Sequence, residues 1–417
     1  MTTSRATSPA LPTAQGGLRI QLWSYNFDPE PTGIGPLARV WAQAMRARGH
    51  EVAVVAAHPH YPEPAWGRAK LPYRELRDGV PVVRLPLWIG RATPTQRIRQ
   101  EASFATALAV AVPLLGSPDV IVAVSPSFPA LAPAIINAQC RRIPWVLWLQ
   151  DILPDAAAAT GLVDPGLLLR AARRFERFAY RSAQRIVVLS DTFKQNLRAK
   201  GVPEAKLVRI YNPASRPVRS EPRLADAGEP GVVLTMGNIG HSQNLVAVVR
   251  AFESHEQLRA MGARFVLAGD GVAGSEVRAA ITTDRVRVTG IVGDEALAAE
   301  LRRAQVALVS QHYEGAEFNV PSKLMNFMGD GLATVASVGL RSEVARFLTD
   351  SGGGWATPSS QPEEAMEVVA SALSDPIERD RRAAAALAFA RANFQAEYIA
   401  EQFEQVLLDS LGRSVTP

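Results

Sequence analysis

Apolar residues fall in short runs that alternate with helical patterns along most of the chain. The segment LRIQLW at 18–23 predicts a strand that ends in a loop at 24–35. Residues 37–48 have helical spacing and stop at Gly49, and the run at 51–57 predicts a second strand. Strand, glycine-containing loop, helix and strand in that order make a βαβ unit with a right-handed parallel crossover. Further strands are predicted at 80–85, 120–124, 145–149 and 186–189, with a strongly basic helix at 170–185 between the last two.

A break follows at 212–230, where Pro213, Pro217, Pro222 and Pro230 stand among few apolar residues, as in a linker. A second alternating series then predicts strands at 231–236, 265–268, 285–288, 306–309 and 334–336, and a mostly helical tail at 361–411. The pattern therefore predicts an α/β protein of two doubly wound domains, at 18–214 and 231–393, joined by a linker at 215–230. In open parallel sheets ligands bind beyond the carboxyl ends of the strands, so the loops there are expected to carry the chemistry.

Composition narrows this picture little. The 417 residues are 47% hydrophobic and 20% charged, and the length suits two domains rather than one. Lysine is scarce, with Lys70, Lys194, Lys200, Lys206 and Lys323 the only five among 45 basic residues. A net charge of +5 permits attraction to phosphates or an anionic membrane without demonstrating it. Cys140 is the only cysteine, which fits a reducing cytoplasm. Residues 1–17 lack the apolar run of a signal peptide and read as a disordered tail. The most apolar stretch, 102–115, is shorter than the roughly 20 residues of a membrane span, so a helix of a soluble fold is expected there.

Candidate chemistry sits in the loops after strands. Thr32, Gly33 and Gly35 precede the first helix, where glycines let the backbone approach an anion and the helix start supplies free amides; a plain βα turn has the same look. The full dinucleotide fingerprint is missing, which disfavours an NAD enzyme. Gly237, Asn238, Gly240, Gln243 and Asn244 occupy the equivalent place in the second domain, with more polar side chains than a structural turn needs. Gly269 and Gly271 flank an aspartate in a Gly-Asp-Gly turn after the next strand. In Val320-Pro-Ser-Lys-Leu-Met-Asn326, Pro321 suits a helix start, Ser322 can cap or donate, and Lys323 can neutralise a diphosphate leaving group. Gln150, Asp151 and Asp155 follow a buried strand, where Asp151 either positions a substrate hydroxyl or caps the next helix. His58 and His60 stand without neighbouring carboxylates or cysteines in sequence, so a packing role is favoured and no metal site is expected. The basic helix is either a solvated face or a contact to an anionic membrane or lipid diphosphate.

Together these motifs resemble glycosyltransferase family four, with closest likeness to its colanic-acid and fucosaminyl-transferase type of exopolysaccharide enzyme. The likeness runs over about 18–410 and rests on Thr32-Gly-Ile-Gly35, RGHEV at 48–52, Leu149-Gln-Asp151, Gly237-Asn-Ile-Gly240 with Gln243, and Pro321-Ser-Lys323. It implies the GT-B fold, two facing Rossmann-like domains with a cleft between them. It further implies a nucleoside-diphosphate sugar held mainly by the second domain, retention of anomeric configuration, and no metal or other cofactor. A carboxyl-terminal helix at 394–412 is expected to return to the first domain. On this reading Gly237, Asn238, Gly240, Gln243, Asn244, Gly269, Gly271, Ser322, Lys323 and Asn326 face the donor. Thr32, Gly33, Gly35, Gln150 and Asp155 face the acceptor, and Asp151, Lys323 and Glu314 are the catalytic candidates.

The chain also departs from the family pattern. Asn238 and Gln243 stand where the wider family has Arg and Lys, Asn326 where the branch keeps a ribose-binding glutamate, and Gln150 where many members have histidine. The ribose-binding glutamate is commonly the second of two spaced eight apart; here Phe318 stands at the first place, and Glu314 is the candidate surrogate for it. The acceptor is expected to be a lipid-linked sugar, or alternatively a small metabolite, a natural product or a thiol. The departures also leave room for a degenerate nucleotide-sugar binder. No nucleic-acid partner is expected, and the location is cytoplasmic, with peripheral contact to the membrane if the basic helix binds it.

Overall fold

In a computed structural model, the structure describes residues 16–31, 33–61, 66–90, 93–125, 127–151, 167–222, 231–311 and 320–413. The tail expected at 1–17 lies, apart from its last two residues, outside the described residues. Among the described residues the first sheet has eight strands: β1 (Arg19–Ser24), β2 (Glu51–Ala57), β3 (Tyr73–Arg77), β4 (Val80–Leu85), β5 (Val120–Val124), β6 (Trp145–Trp148), β7 (Arg185–Val188) and β8 (Leu207–Arg209). They lie in the order β3-β4-β2-β1-β5-β6-β7-β8, all parallel except the β3–β4 hairpin. The second sheet has six parallel strands: β9 (Val232–Met236), β10 (Arg264–Ala268), β11 (Val286–Val288), β12 (Val306–Ser310), β13 (Ala333–Val338) and β14 (Gly354–Pro358). Their order is β11-β10-β9-β12-β13-β14.

The central strands are apolar runs such as VIVAV in β5 and VVLTM in β9, buried from end to end because helices cover both faces of each sheet. The first sheet is covered by α1 (Ile34–Ala47), α2 (Pro94–Ala111), α3 (Phe128–Arg141), α4 (Leu167–Ser182) and α5 (Asp191–Ala199). Around the second sheet lie α6 (Leu245–Ser254), α7 (Glu256–Ala260), α8 (Gly274–Ala279), α9 (Asp294–Arg303), α10 (Ser322–Gly329), α11 (Glu343–Ser351), α12 (Pro362–Ser374) and α13 (Pro376–Asn393). In each sheet the winding reverses at the first strand: β1 lies between β2 and β5, and β9 between β10 and β12. Such switch points open a crevice at the carboxyl ends of the strands. The loops after β1 and β9 are the glycine-containing segments singled out in the sequence.

The last helix, α14 (Ala396–Ser410), leaves the second sheet and packs on α1. Phe403 is fully buried against Trp41 and Trp148, with ring centroids at 5.4 and 5.0 Å. Glu404 accepts from the Arg48 guanidinium and stands 3.1 Å from Nε2 of His50, whose Nδ1 accepts from the Leu18 amide. Burial pushes the His50 imidazole below its ordinary pKa, against the pull of Glu404. A second seam joins the two halves where Tyr211 meets Phe347 and Phe394, and where the Thr192 hydroxyl donates to Glu343 at 2.8 Å.

Several elements differ from the pattern-based expectation. Strand β3 was not expected because its sequence, YRELR, is polar; it is an edge strand with no fully buried residue. Strand β14 likewise lies at an edge and contains Gly354 and Pro358, and β8 is only three residues long. The basic helix ends at Ser182, and Arg185 opens β7, because Gln184 pairs with the backbone of Trp145 and brings the chain into the sheet. Phe394 is not part of the last helix. It packs in the second domain's core beside Tyr211 and Phe347, and α14 starts two residues later.

Truncating Phe403 to alanine is expected to cost about 3–5 kcal/mol, as for other fully buried aromatics. Urea unfolding of Phe403→Ala checks this, and a loss below about 1 kcal/mol would show that α14 docking is not a main source of stability.

Candidate active site

The loop after β9 and the loop after β10 are zipped together by backbone hydrogen bonds. The amide of Gly237 donates to Ala268 at 2.9 Å, Ile239 to Asp270 at 3.0 Å, and Ala273 to Ile239 at 3.0 Å. Glycine is required at the crossing points. A Cβ on Gly269 would stand 1.9 Å from the Gly237 carbonyl oxygen, and one on Gly271 2.5 Å from Asn238 Oδ1. Gly237 itself has φ +99°, a left-handed conformation that side chains resist. Asp270, between the two glycines, is held by Arg278 and by the Gly271 amide, which keep its carboxyl below the usual range.

Lys323 lies in the first turn of α10, where no acidic residue is present and Pro321 is the capping residue. Its side chain is 8% exposed, and its Nζ donates to Gln243 Oε1 at 2.7 Å. Burial pushes its pKa down to about 7, because the charged form loses water and gains no carboxylate. Its Cε would lie 3.9 Å from a Cβ placed on Gly237, so the cation sits directly beneath the glycine loop. Gln243 in turn donates to the Asn238 carbonyl and accepts, through its own carbonyl, from Ser310 at 2.6 Å. Asn244 adopts a left-handed conformation, φ 48°, that turns the chain into α6.

Across the crevice, Glu30 organises the loop after β1. It is 2% exposed; Oε1 accepts from the amides of His60 and Tyr61, both at 2.9 Å, and Oε2 from Asn26 at 2.7 Å. Gly33, with φ +68°, caps α1, whose first turn carries no acid, and a Cβ on Gly35 would come 3.0 Å from the Glu30 carbonyl. The Tyr61 hydroxyl then reaches over to Asn238 Oδ1 at 3.1 Å. Tyr61, Asn238, Gln243 and Lys323 thus form a continuous hydrogen-bonded line from the first domain to the second.

Gln150 and Asn326 are both engaged by the segment that joins the domains. Gln150 and Asn212 exchange two hydrogen bonds, at 3.1 and 2.7 Å. Asn326 accepts from the Ser215 amide at 2.9 Å and donates to the Ser215 hydroxyl at 2.8 Å. The carbonyl of Asp151 lies 3.5 Å from the Ser125 hydroxyl. Thr32, Asp155 and Glu314 lie outside the described residues. His58 bonds to Tyr73 and His60 to Glu30, and among the described residues no three His, Cys, Asp or Glu side chains gather as a metal site would require. The structure therefore brings Gly237, Asn238, Gly240, Gln243, Gly269, Gly271 and Lys323 together. Sequence reasoning missed Glu30, Tyr61, Asn212 and Ser215, whose importance lies in long-range partners that leave no local pattern.

Two families match the chain. Residues 32–213 match "Glycosyl transferase 4-like domain", and residues 219–388 match "Glycosyl transferases group 1". WcaI of Escherichia coli K12, a glycosyl transferase named for colanic acid biosynthesis, is 26% identical over 341 residues, covering 75% of this chain and 82% of WcaI. WbjE of Pseudomonas aeruginosa, named as a glycosyltransferase, is 26% identical over 230 residues, covering 52% of this chain and 57% of its own. Among solved structures, a sucrose-phosphate synthase from Thermosynechococcus elongatus superposes with a TM-score of 0.72 at 18% identity, over 95% of this chain and 99% of that one. Anabaena HepE in complex with UDP and glucose superposes with a TM-score of 0.67 at 17% identity, over 94% and 99% of the two chains.

A lysine whose pKa falls on folding makes stability rise with pH. Below about 7 the cost of burying the charge is fully present, and it disappears between pH 7 and the unfolded value near 10.5. Lys323→Met, which removes the charge but keeps the length, is expected to raise the melting temperature at pH 6.5 and to flatten that rise. Melting curves from pH 6 to 10 check it; parallel profiles for the two proteins would contradict the buried cation.

Proposed function

We propose that this chain, a glycosyl transferase of the GT-B fold whose residues 32–213 match the 4-like domain and 219–388 match group 1, moves a sugar from a nucleoside diphosphate to a lipid-linked sugar acceptor with retention of configuration. The observation that carries the donor assignment is the desolvated Lys323 ammonium beneath Gly237, at the switch point of the second sheet. A diphosphate there would meet the Lys323 cation and the free amides at the start of α10, at Ser322 and Lys323 themselves. Asn238 and Gln243 would contribute hydrogen bonds without charge. The UDP in the HepE complex is the same class of ligand.

Departure of the nucleoside diphosphate gives the sugar oxocarbenium character. The protein's work is then to stabilise the leaving charge and hold the acceptor hydroxyl on the face the diphosphate has left. The acceptor enters over Thr32, Gly33 and Gly35 and beside Gln150 to Asp155, with Asp151 or Glu314 positioning the attacking hydroxyl. No metal is assigned a step, because Lys323 and the helix amides supply the positive potential. Two features support a lipid-linked acceptor of the exopolysaccharide type: likeness to WcaI, and the arginines of α4 on the surface of the acceptor domain.

UDP, GDP, dTDP or ADP is expected to raise the melting temperature by several degrees, and one of them far more than the others. Lys323→Ala should abolish that shift and slow sugar transfer roughly a hundredfold or more while remaining folded. Near-normal turnover in Lys323→Ala would remove the lysine from the mechanism. For the intact enzyme, affinity for the responding nucleotide should fall as pH rises above about 7, because the diphosphate binds the protonated amine. Titration calorimetry at pH 7 and 9 measures that slope.

A further inference from the structure

Helices α2, α3 and α4 lie side by side on one face of the first sheet, sharing a core that contains Phe104, Leu108, Leu131, Ile135 and Tyr180. Their opposite sides look outward. On α2 and the short 3-10 turn that extends it (Val112–Leu114), the outward row is Ile98, Ala102, Thr106, Val110 and Leu114, in steps of four. Ile98, Val110 and Leu114 are 58%, 73% and 72% exposed. No charged side chain occurs between Glu101 and Asp119. A surface helix of a soluble domain normally places charge on this side.

The neighbouring helices extend the patch. Ile136 on α3 and Phe178 on α4 are also exposed. Phe178 stands among five exposed arginines of α4, at 170, 173, 174, 177 and 181, none of which pairs with a carboxylate among the described residues. The helix's own acid, Glu176, is buried and paired with Lys200. The amino-terminal half of α2 abuts the acceptor loop, since Gln100 donates to the Tyr25 hydroxyl. Among the described residues no helix is long and apolar enough to cross a membrane.

We propose that this face docks on an anionic phospholipid bilayer, with the uncharged row of α2 seated at the headgroup boundary and the α4 arginines on lipid phosphates. The inference rests on the lipid-linked acceptor proposed above and adds how that acceptor is met: docking through α2 brings the loop after β1 to the membrane surface. Charge argues against a second copy as the occupant, because a two-fold contact through this face would set the unpaired arginines of the two copies near one another.

The test is co-sedimentation of the full chain with phosphatidylcholine vesicles, with and without phosphatidylglycerol. The protein should bind the phosphatidylglycerol vesicles, release them as salt rises, and ignore pure phosphatidylcholine. Arg173→Ala/Arg174→Ala/Arg177→Ala should bind roughly a hundredfold more weakly, about fivefold for each arginine. Val110→Asp/Leu114→Asp should lose binding yet keep the intact protein's nucleotide-induced melting shift. The proposal falls if the intact chain ignores anionic vesicles or if both variants bind as it does. It also falls if light scattering shows that Val110→Asp/Leu114→Asp breaks a dimer while leaving vesicle binding intact. Sugar transfer to a detergent-dispersed polyprenyl-diphosphate sugar is measured in parallel. Transfer without vesicle binding overturns the docking face alone, and vesicle binding without transfer overturns the acceptor alone.

Discussion

A lysine ammonium withdrawn from water, with an amide oxygen as its hydrogen-bond partner, is the constraint around which the site is arranged. Lys323 reaches Gln243 at 2.7 Å, and desolvation draws its pKa to about 7. Burying a cation without a carboxylate works against folding, so the surrounding structure must hold it in place. The zipped loops after β9 and β10, the packing of α10 and the acid-free first turn of that helix all do so. Under the proposed function, the same arrangement leaves the protonated amine without a competing acid when a diphosphate arrives. A neutralising acid beside the lysine would stabilise the empty protein and weaken that attraction.

The positions at which the chain departs from the family pattern share a physical property. Gln150, Asn238, Gln243 and Asn326 are neutral amides, and each is hydrogen-bonded within the protein. An amide can donate and accept at once, so it can tie two segments together where a charged group would seek solvent or a counter-ion. Gln150 and Asn326 both hold the crossover, at Asn212 and Ser215, and Asn238 receives Tyr61 from the other domain. In the proposed reaction, charge for the leaving group would thereby be concentrated on Lys323, while the amides hold the two walls together.

The walls also depend on connections far from the crevice. Helix α14 returns to pack Phe403 between Trp41 and Trp148, and Glu404 gathers Arg48 and His50. Tyr211, Phe347 and Phe394 close the seam on the other side. These aromatic contacts fix the two sheets relative to each other, which places the loops after β1 and β9 face to face.

The sequence by itself determined the fold class and most of the central strands. Buried parallel strands are continuous apolar runs, and the glycine loops after the first strand of each series stood out as candidate chemistry, although only the strand order placed them at switch points. It also singled out Lys323, because lysine is rare in this chain and this one follows a proline at a helix start. Edge strands such as β3 were illegible, since a strand exposed to solvent carries no apolar run. Only the tertiary structure decided that Asn326 meets Ser215, that Glu30 braces His60 and Tyr61, and that Lys323 is desolvated. Those facts depend on which distant residues share a hydrogen bond or exclude water, and residue type and spacing carry no record of either.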